Sequence, residues 1–252
     1  MDPRAIAIAT FDLHSEQYAR YRPHYPEALF AWLESLCPVK QWAWDCATGT
    51  GQTACRLGQS FARVDATDIN PNQLAAAEPH PRVFYRECPA EQTPFDDEVF
   101  ELVTVAQSLH WFDYPRFWPE LERVLKPGGV FAAWGYDWFS VTPEIDQAAK
   151  VYLSIVRPFW SSCSRLLWDG YREVGCHLPA VHPPQFVISM QWDLSQLLGY
   201  LRTWSATKLC MQSLGSGVLD DAQDQIMRAW GSPLLIRQVT MPLHVIAGRK
   251  PL

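Results

Sequence analysis

Along the first 135 residues the apolar positions switch repeatedly between a helical and an extended period. Ala28, Leu29, Trp32, Leu33 and Leu36 share one face of a helix over Pro26–Leu36, with Pro26 suited to its first turn. Gln41–Ala47 reads as a strand and Gly51–Phe61 as the helix after it. Val64–Asp68 is a second strand, followed by a helix over Pro71–Ala77 for which Asn70 is a favourable cap. Val83–Cys88 is a third strand, and Phe100–Ala106 (FELVTVA) is a continuous apolar fourth, the pattern of a strand covered on both faces. Phe117, Leu121, Val124 and Leu125 align on a helix over Pro115–Leu125; Lys126-Pro127-Gly128-Gly129 stops it, and Val130–Trp134 is a fifth strand. Five strands separated by helices predict a mostly parallel sheet with right-handed crossovers.

The rest of the chain breaks this rhythm. Pro143–Val156 is helical, the stretch to about His182 is rich in aromatics and turns, and Phe186–Trp192 is a strand. Asp193 and Ser195 are caps for a helix through Trp204; Leu219–Trp230 is a helix ended by Gly231, and Leu234–Ile246 holds a last strand. This pattern divides the chain into a binding core with an N-terminal lid (1–136), a cap insertion (137–185) and sheet-completing strands with further cap helices (186–252).

Composition narrows the class. The 252 residues are 48% hydrophobic and 19% charged, the balance of a globular protein, and no run approaches the roughly 18 apolar residues of a membrane-spanning helix. The N-terminus has neither the length nor the charge pattern of a secretory signal, so a cytoplasmic location is expected. Seven cysteines lie scattered without the spacing of a zinc site, and their odd number favours free thiols. Acids outnumber bases 18 to 11 in residues 1–135 and nearly balance them, 9 to 10, thereafter; with no basic stripe, nucleic acid is not an expected partner. Twelve tryptophans, many of them between Trp111 and Trp204, suit core packing and an aromatic cavity for a small organic molecule equally well.

The chemistry concentrates in WDCATGTGQ (Trp44–Gln52), which leads from the first strand into a helix. In an open parallel sheet, ligands bind outside the carboxyl ends of the strands, and the glycines bring backbone close to a partner. Asp68, 23 residues beyond Asp45, ends the second strand at the distance of an acid that accepts from ribose hydroxyls. A dinucleotide needs G-x-G-x-x-G for its pyrophosphate. The order here is D-x-A-x-G-x-G, and its leading acid suits the ammonium of a methionine moiety instead, so S-adenosylmethionine is the expected ligand. An alanine at 47 is tolerated at a negative backbone angle and strained in the left-handed region.

Together with YARYRPHYP (Tyr18–Pro26), PAEQTPF (Pro89–Phe95), AQSLHWFD (Ala106–Asp113), LERVLKPGGVFAAWGY (Leu121–Tyr136) and YLRTWSA (Tyr200–Ala206), these segments resemble the class I S-adenosylmethionine-dependent methyltransferases. The similarity is to the small-molecule branch that includes trans-aconitate methyltransferase, whose members commonly have glycine where this chain has Ala47. The resemblance implies a Rossmann-like, doubly wound α/β sheet of seven strands with the last antiparallel, and a helical cap over the carboxyl edge. It assigns Asp45, Ala47, Gly49 and Gly51 to the methionine end of the cofactor, Asp68 to the ribose, Ile69 to the adenine face, Ala90 and Glu91 to the adenine edge, and Gln107 to the methionine side. His110 and Trp111 would face the methyl group, and Tyr18, Arg22 and Tyr25 would form a lid.

Methyl transfer is an in-line displacement that needs alignment and exclusion of water. Trp111, Trp134, Trp138 and Trp204 are candidate walls of the acceptor site. A carboxylate acceptor needs a cationic anchor, Arg22 or Arg202; a phenol or amine needs a proton acceptor, and His110 is placed either for that or for positioning alone. The expected activity is methylation of a small organic molecule, with a carboxylate oxygen as acceptor. Methylation at N, C or S and a non-catalytic sensor are the alternatives, in a monomer or homodimer.

Overall fold

The structure is a computed structural model that describes residues 21–252, so the lid residue Tyr18 lies outside the described residues. One seven-stranded sheet organises the chain, in the order β3-β2-β1-β4-β5-β7-β6. Its strands are β1 (Trp42–Cys46), β2 (Arg63–Asp68), β3 (Val83–Glu87), β4 (Phe100–Ala106), β5 (Leu125–Tyr136), β6 (Phe186–Trp192) and β7 (Arg237–Arg249). The first five pair in parallel, while β7 runs antiparallel to both β5 and β6. The strand order reverses between β1 and β4, the switch point where a crevice opens at the carboxyl ends.

Helix α1 (Glu27–Leu36) buries Leu29, Phe30 and Leu33. Ala28, expected on that face, is exposed; Phe30 takes its place by packing edge-on against Trp134 at 6.4 Å. Helix α2 (Gln52–Leu57) follows β1, and α3 (Pro71–Ala75) follows β2, with the Asn70 side chain accepting from the amides of Asn72 and Gln73. Helix α4 (Tyr114–Val124) packs Phe117, Trp118, Leu121 and Val124 against the opposite face of the sheet from α1.

Four expectations change. Lys126–Gly129 does not separate helix from strand, because Leu125 already pairs with Phe100 and the ladder resumes at Leu102–Val130; the intervening residues bulge, with Gly128 at φ 76°. The helix expected through Trp204 is two: α7 (Leu194–Arg202) and α8 (Ser205–Leu214), with Trp204 between them at an extended φ/ψ. Asp193, not Ser195, caps α7, through a capping box with Gln196. The last strand begins at Arg237 rather than Leu234, because Leu234, Leu235 and Ile236 are exposed, and continues to Arg249 by pairing with Val130.

Helix α5 (Pro143–Val156) packs against α9 (Asp220–Trp230), and α8 packs against the 3-10 turn Arg157–Phe159 that follows α5. With α6 (Ser164–Trp168) these elements bring aromatic side chains over the carboxyl ends of β4 and β5. At the N-terminal side Tyr21 packs on α7, where a Cβ on Gly199 would lie 2.4 Å from its ring. Among the described residues no helix is long and apolar enough to cross a membrane.

Candidate active site

Two joined cavities occupy the switch point. The larger, about 600 Å³, is lined by the loop after β1 (Ala47, Thr48, Gly49), by Asp68 and Ile69 after β2, by Ala90 and Glu91 after β3, and by Gln107 and Trp111 after β4. The smaller, about 110 Å³, lies toward the helical cap. Arg22, Gln107, Trp111 and Tyr136 line both and so mark the junction.

The glycine loop is held from below and from the side. Asp45 is 1% exposed and does not line the cavity; its oxygens accept from the Thr48 hydroxyl at 2.5 Å and the Thr104 hydroxyl at 2.7 Å. Burial raises its pKa to about 6, against the lowering effect of those two hydroxyls. It therefore braces the loop rather than reaching into the cavity. Asp68 is the acid that lines it, accepting from the Gly49 amide at 2.8 Å and the Asn70 amide at 2.9 Å. Each of its oxygens keeps a further lone pair for a diol. Gly51 stands at φ 86°, and a Cβ there would lie 2.1 Å from Tyr85 Oη, so it shapes the loop without lining the cavity. Ala47 has φ 56°, the left-handed region in which its methyl costs about 1–2 kcal/mol.

Gln107 also has a positive φ, 60°, and Tyr171 another, 57°. Two of the four non-glycine residues with positive φ among the described residues, Ala47 and Gln107, thus line the larger cavity; Tyr171 lies behind His110, and the fourth is Glu98 at φ 54°. Gln107 Nε2 is buried without a hydrogen-bond partner, a donor held at the junction. Arg22 donates to Tyr136 Oη at 2.7 Å and lies over the Tyr200 ring at 5.6 Å. Tyr25 lines the larger cavity and packs on Trp134 at 5.6 Å.

His110 lines only the smaller cavity, 3.3 Å from Tyr171 Oη through Nδ1, and burial lowers its pKa to about 3. It is a neutral imidazole and a weak base. Trp111, half-buried, walls both cavities, and Ile69 faces the larger one; neither is a closed core residue. Trp134 is fully buried beneath Tyr25 and Phe30 and walls neither cavity. Arg202 is exposed on α7 and bonds Gln223 at 3.2 Å, away from both cavities. Lys208, Trp160 and Trp168 were not singled out by sequence reasoning, yet all line the smaller cavity. Only the aromatic richness of the segment hinted at the two tryptophans, and a lone lysine on α8 carried no signal.

A crevice of this size suits a nucleoside with a short side chain. The strand-end acid and the absence of a third glycine fit a sulfonium nucleoside rather than a dinucleotide. Fold and site define a class I S-adenosylmethionine-dependent methyltransferase. Comparison with known proteins agrees: residues 44–133 match the family model of the methyltransferase domain. The solved structure of a protein assigned as a type II methyltransferase from Anaeromyxobacter dehalogenans superposes with a TM-score of 0.86 at 37% identity, over 92% of this chain and 100% of that one. A protein classed as a methyltransferase in Dictyostelium discoideum is 26% identical over 245 residues, 94% of this chain and 93% of its own. An uncharacterized methyltransferase of Mycobacterium tuberculosis is 37% identical over 113 residues, 44% of this chain and 46% of its own length. The chain belongs to the S-adenosylmethionine-dependent methyltransferases, and S-adenosylmethionine is its methyl donor.

Proposed function

We propose that this methyltransferase acts on a small organic molecule and that the accepting atom is a carboxylate oxygen. The observation that carries the reading is the junction of the two cavities: it presents the Arg22 guanidinium and the Gln107 amide, while the adjacent histidine, His110, is too weak a base to take a proton near neutrality. A phenol or a protonated amine must lose a proton to react; a carboxylate is already a nucleophile. When bound, the cofactor would supply an electrophilic methyl carbon on a sulfonium leaving group.

The chain's own residues divide the remaining work. Asp68 holds the ribose hydroxyls, Ile69 covers the adenine, and Ala90 and Glu91 bound its edge. Ala47 and Gly49 receive the methionine end, with Gly51 shaping their loop and Asp45 bracing it. Gln107, Arg22 and Trp111 align the acceptor, His110 positions as a neutral imidazole, and Tyr25 with Arg22 closes the N-terminal side. Residues 137–185 act as the cap insertion on the core of 1–136, and 186–252 complete sheet and cap. A net charge of −6 opposes a nucleic-acid acceptor.

Titration calorimetry with S-adenosylmethionine and S-adenosylhomocysteine tests the cofactor half, with binding of both expected. Transfer of labelled methyl to a panel of acids, phenols and amines tests the acceptor half. Methyl esters are the expected products; labelled ethers or methylamines with no ester would displace the carboxylate reading.

A further inference from the structure

The two ring nitrogens of His110 have different surroundings. His110 belongs to the 3-10 turn Leu109–Trp111 that follows β4. Its Nδ1 lies 3.3 Å from Tyr171 Oη, with the two rings inclined by 25°. Its Nε2 has no hydrogen-bond partner among the described residues and is not sealed either, so it is the edge by which His110 lines the smaller cavity. One nitrogen is held from behind, and the other is left for whatever enters.

The hydroxyl behind His110 is placed with unusual backbone geometry. Tyr171, 1% exposed, follows Gly170 after α6, and these two successive residues stand at φ 57° and 65° respectively. A left-handed conformation is a genuine outlier for a bulky side chain. The turn is closed by the Tyr171 amide, which donates to the Leu166 carbonyl at 2.8 Å. Gly135 on β5 leaves the room: a Cβ there would lie 2.2 Å from Leu167 Cδ1, 3.0 Å from Gln107 Oε1 and 3.2 Å from Tyr171 Oη. A buried tyrosine hydroxyl usually finds a hydrogen-bond partner. This one reaches a histidine on a cavity wall and makes no other hydrogen bond among the described residues.

That single partner fixes the direction of the bond. If Nδ1 carried the imidazole proton and donated to Tyr171, the phenol proton would be buried with no acceptor among the described residues. With Tyr171 donating to Nδ1 both groups are satisfied, and the neutral imidazole carries its one proton on Nε2. Burial first, and Tyr114 second, push the Tyr171 hydroxyl up, so it keeps its proton; burial lowers His110 to about 3, so no second proton joins the ring near neutrality. Gln107 Nε2, buried without a partner, is a further neutral donor in the lining of the same cavity.

We propose that Tyr171 is a positioning residue that holds His110 as the Nε2–H tautomer, so that His110 meets the acceptor oxygen as a hydrogen-bond donor and not as a base. The tautomer stands on the contacts of His110 and Tyr171; the role toward an acceptor oxygen rests on the carboxylate reading above.

The test is long-range proton–nitrogen NMR of the histidine side chains in the isotope-labelled full chain saturated with S-adenosylhomocysteine, with the His110 signals assigned by their loss in His110→Gln. Near neutral pH a protonated Nε2 and an unprotonated, hydrogen-bonded Nδ1 are expected. Tyr171→Phe keeps the ring and removes the hydroxyl, so the Nδ1 signal should shift toward that of a free unprotonated nitrogen. Calorimetry with S-adenosylhomocysteine shows that the variant is folded, because Tyr171 lines neither cavity. Acetate, the carboxylate probe, should shift the Nε2 proton signal and leave Nδ1 unprotonated. A proton on Nδ1 in the wild-type chain, or His110 signals unmoved by Tyr171→Phe, would overturn the positioning role; an Nε2 proton indifferent to acetate would overturn the donor role. The wild-type spectrum decides even where the variant fails to fold. The carboxylate reading is judged separately by its methyl ester products, so either can fail without the other.

Discussion

The backbone amide of Gly49 donates to Asp68 Oδ2 at 2.8 Å, tying the loop after β1 to the carboxyl end of β2. One carboxylate thereby shapes the glycine loop and lines the cavity that the loop encloses. Replacing Asp68 with Asn removes an acceptor while nearly keeping its shape. S-adenosylhomocysteine affinity is expected to fall at least about tenfold, with a stability loss of about 1 kcal/mol from the Gly49 or Asn70 amide left short of a partner. Calorimetry alongside thermal unfolding separates the two, and an unchanged affinity removes the ribose assignment.

Ala47 sits at φ 56° in a loop whose form is imposed by Asp45, Asp68 and Gly51. Ala47→Gly relieves the left-handed strain but restores freedom to the unfolded chain, so the net gain in stability is about 0.5–1 kcal/mol. Cofactor affinity should stay level or improve. A lower unfolding midpoint would show that the alanine methyl has contacts worth more than its strain.

Asp45 has a folded-state pKa of about 6 against an ordinary value of 3.8. The folded chain therefore binds the extra proton between those values, and this contribution to stability is full below pH 3.8 and lost as pH rises through 6. Asp45→Asn has no such titration. Its stability relative to the parent should rise by up to about 3 kcal/mol between pH 4 and pH 7.5, as measured by denaturant unfolding at several pH values. A difference independent of pH would mean that Asp45 is ionised in the fold throughout.

His110 works in the other direction. Its pKa is lowered from 6.5 to about 3, so the unfolded chain takes up the proton first, and stability is lost as pH falls through that window. At pH 5 the loss is about 2 kcal/mol. His110→Gln should flatten the acid limb of the stability profile, and the rate of methyl transfer in the parent should show no inflection near pH 6.5 from this residue. An inflection there that disappears in His110→Gln would make His110 a proton acceptor in the reaction.

Much of this protein was legible before its structure. Alternating apolar runs and strong punctuation at Asn70, Gly51 and Gly231 are local signals, and they located β1 to β4, α3 and the end of α9 within a residue or two. The acid at the end of β2 is set by short-range order as well, because residue spacing alone carries it to the mouth of the sheet. Asp45 and Asp68 read alike in sequence, as acids at strand ends. Only the fold separates them: neighbouring β4 brings Thr104 under Asp45 and buries it, while Asp68 stays open to the cavity.

The lining of the smaller chamber lay beyond sequence reading for the same reason. Trp134 and Trp138 are four residues apart, yet one is sealed beneath α1 and the other faces the chamber. Arg202 and Lys208, six residues apart, point to solvent and to the chamber because Thr203 and Trp204 turn the chain between α7 and α8. Local periodicity determined which segments became helix and strand and where the cofactor loop fell. Which tryptophans and which cations meet over the sheet depends on long-range packing of α5, α6 and α8, and only the tertiary structure decided it.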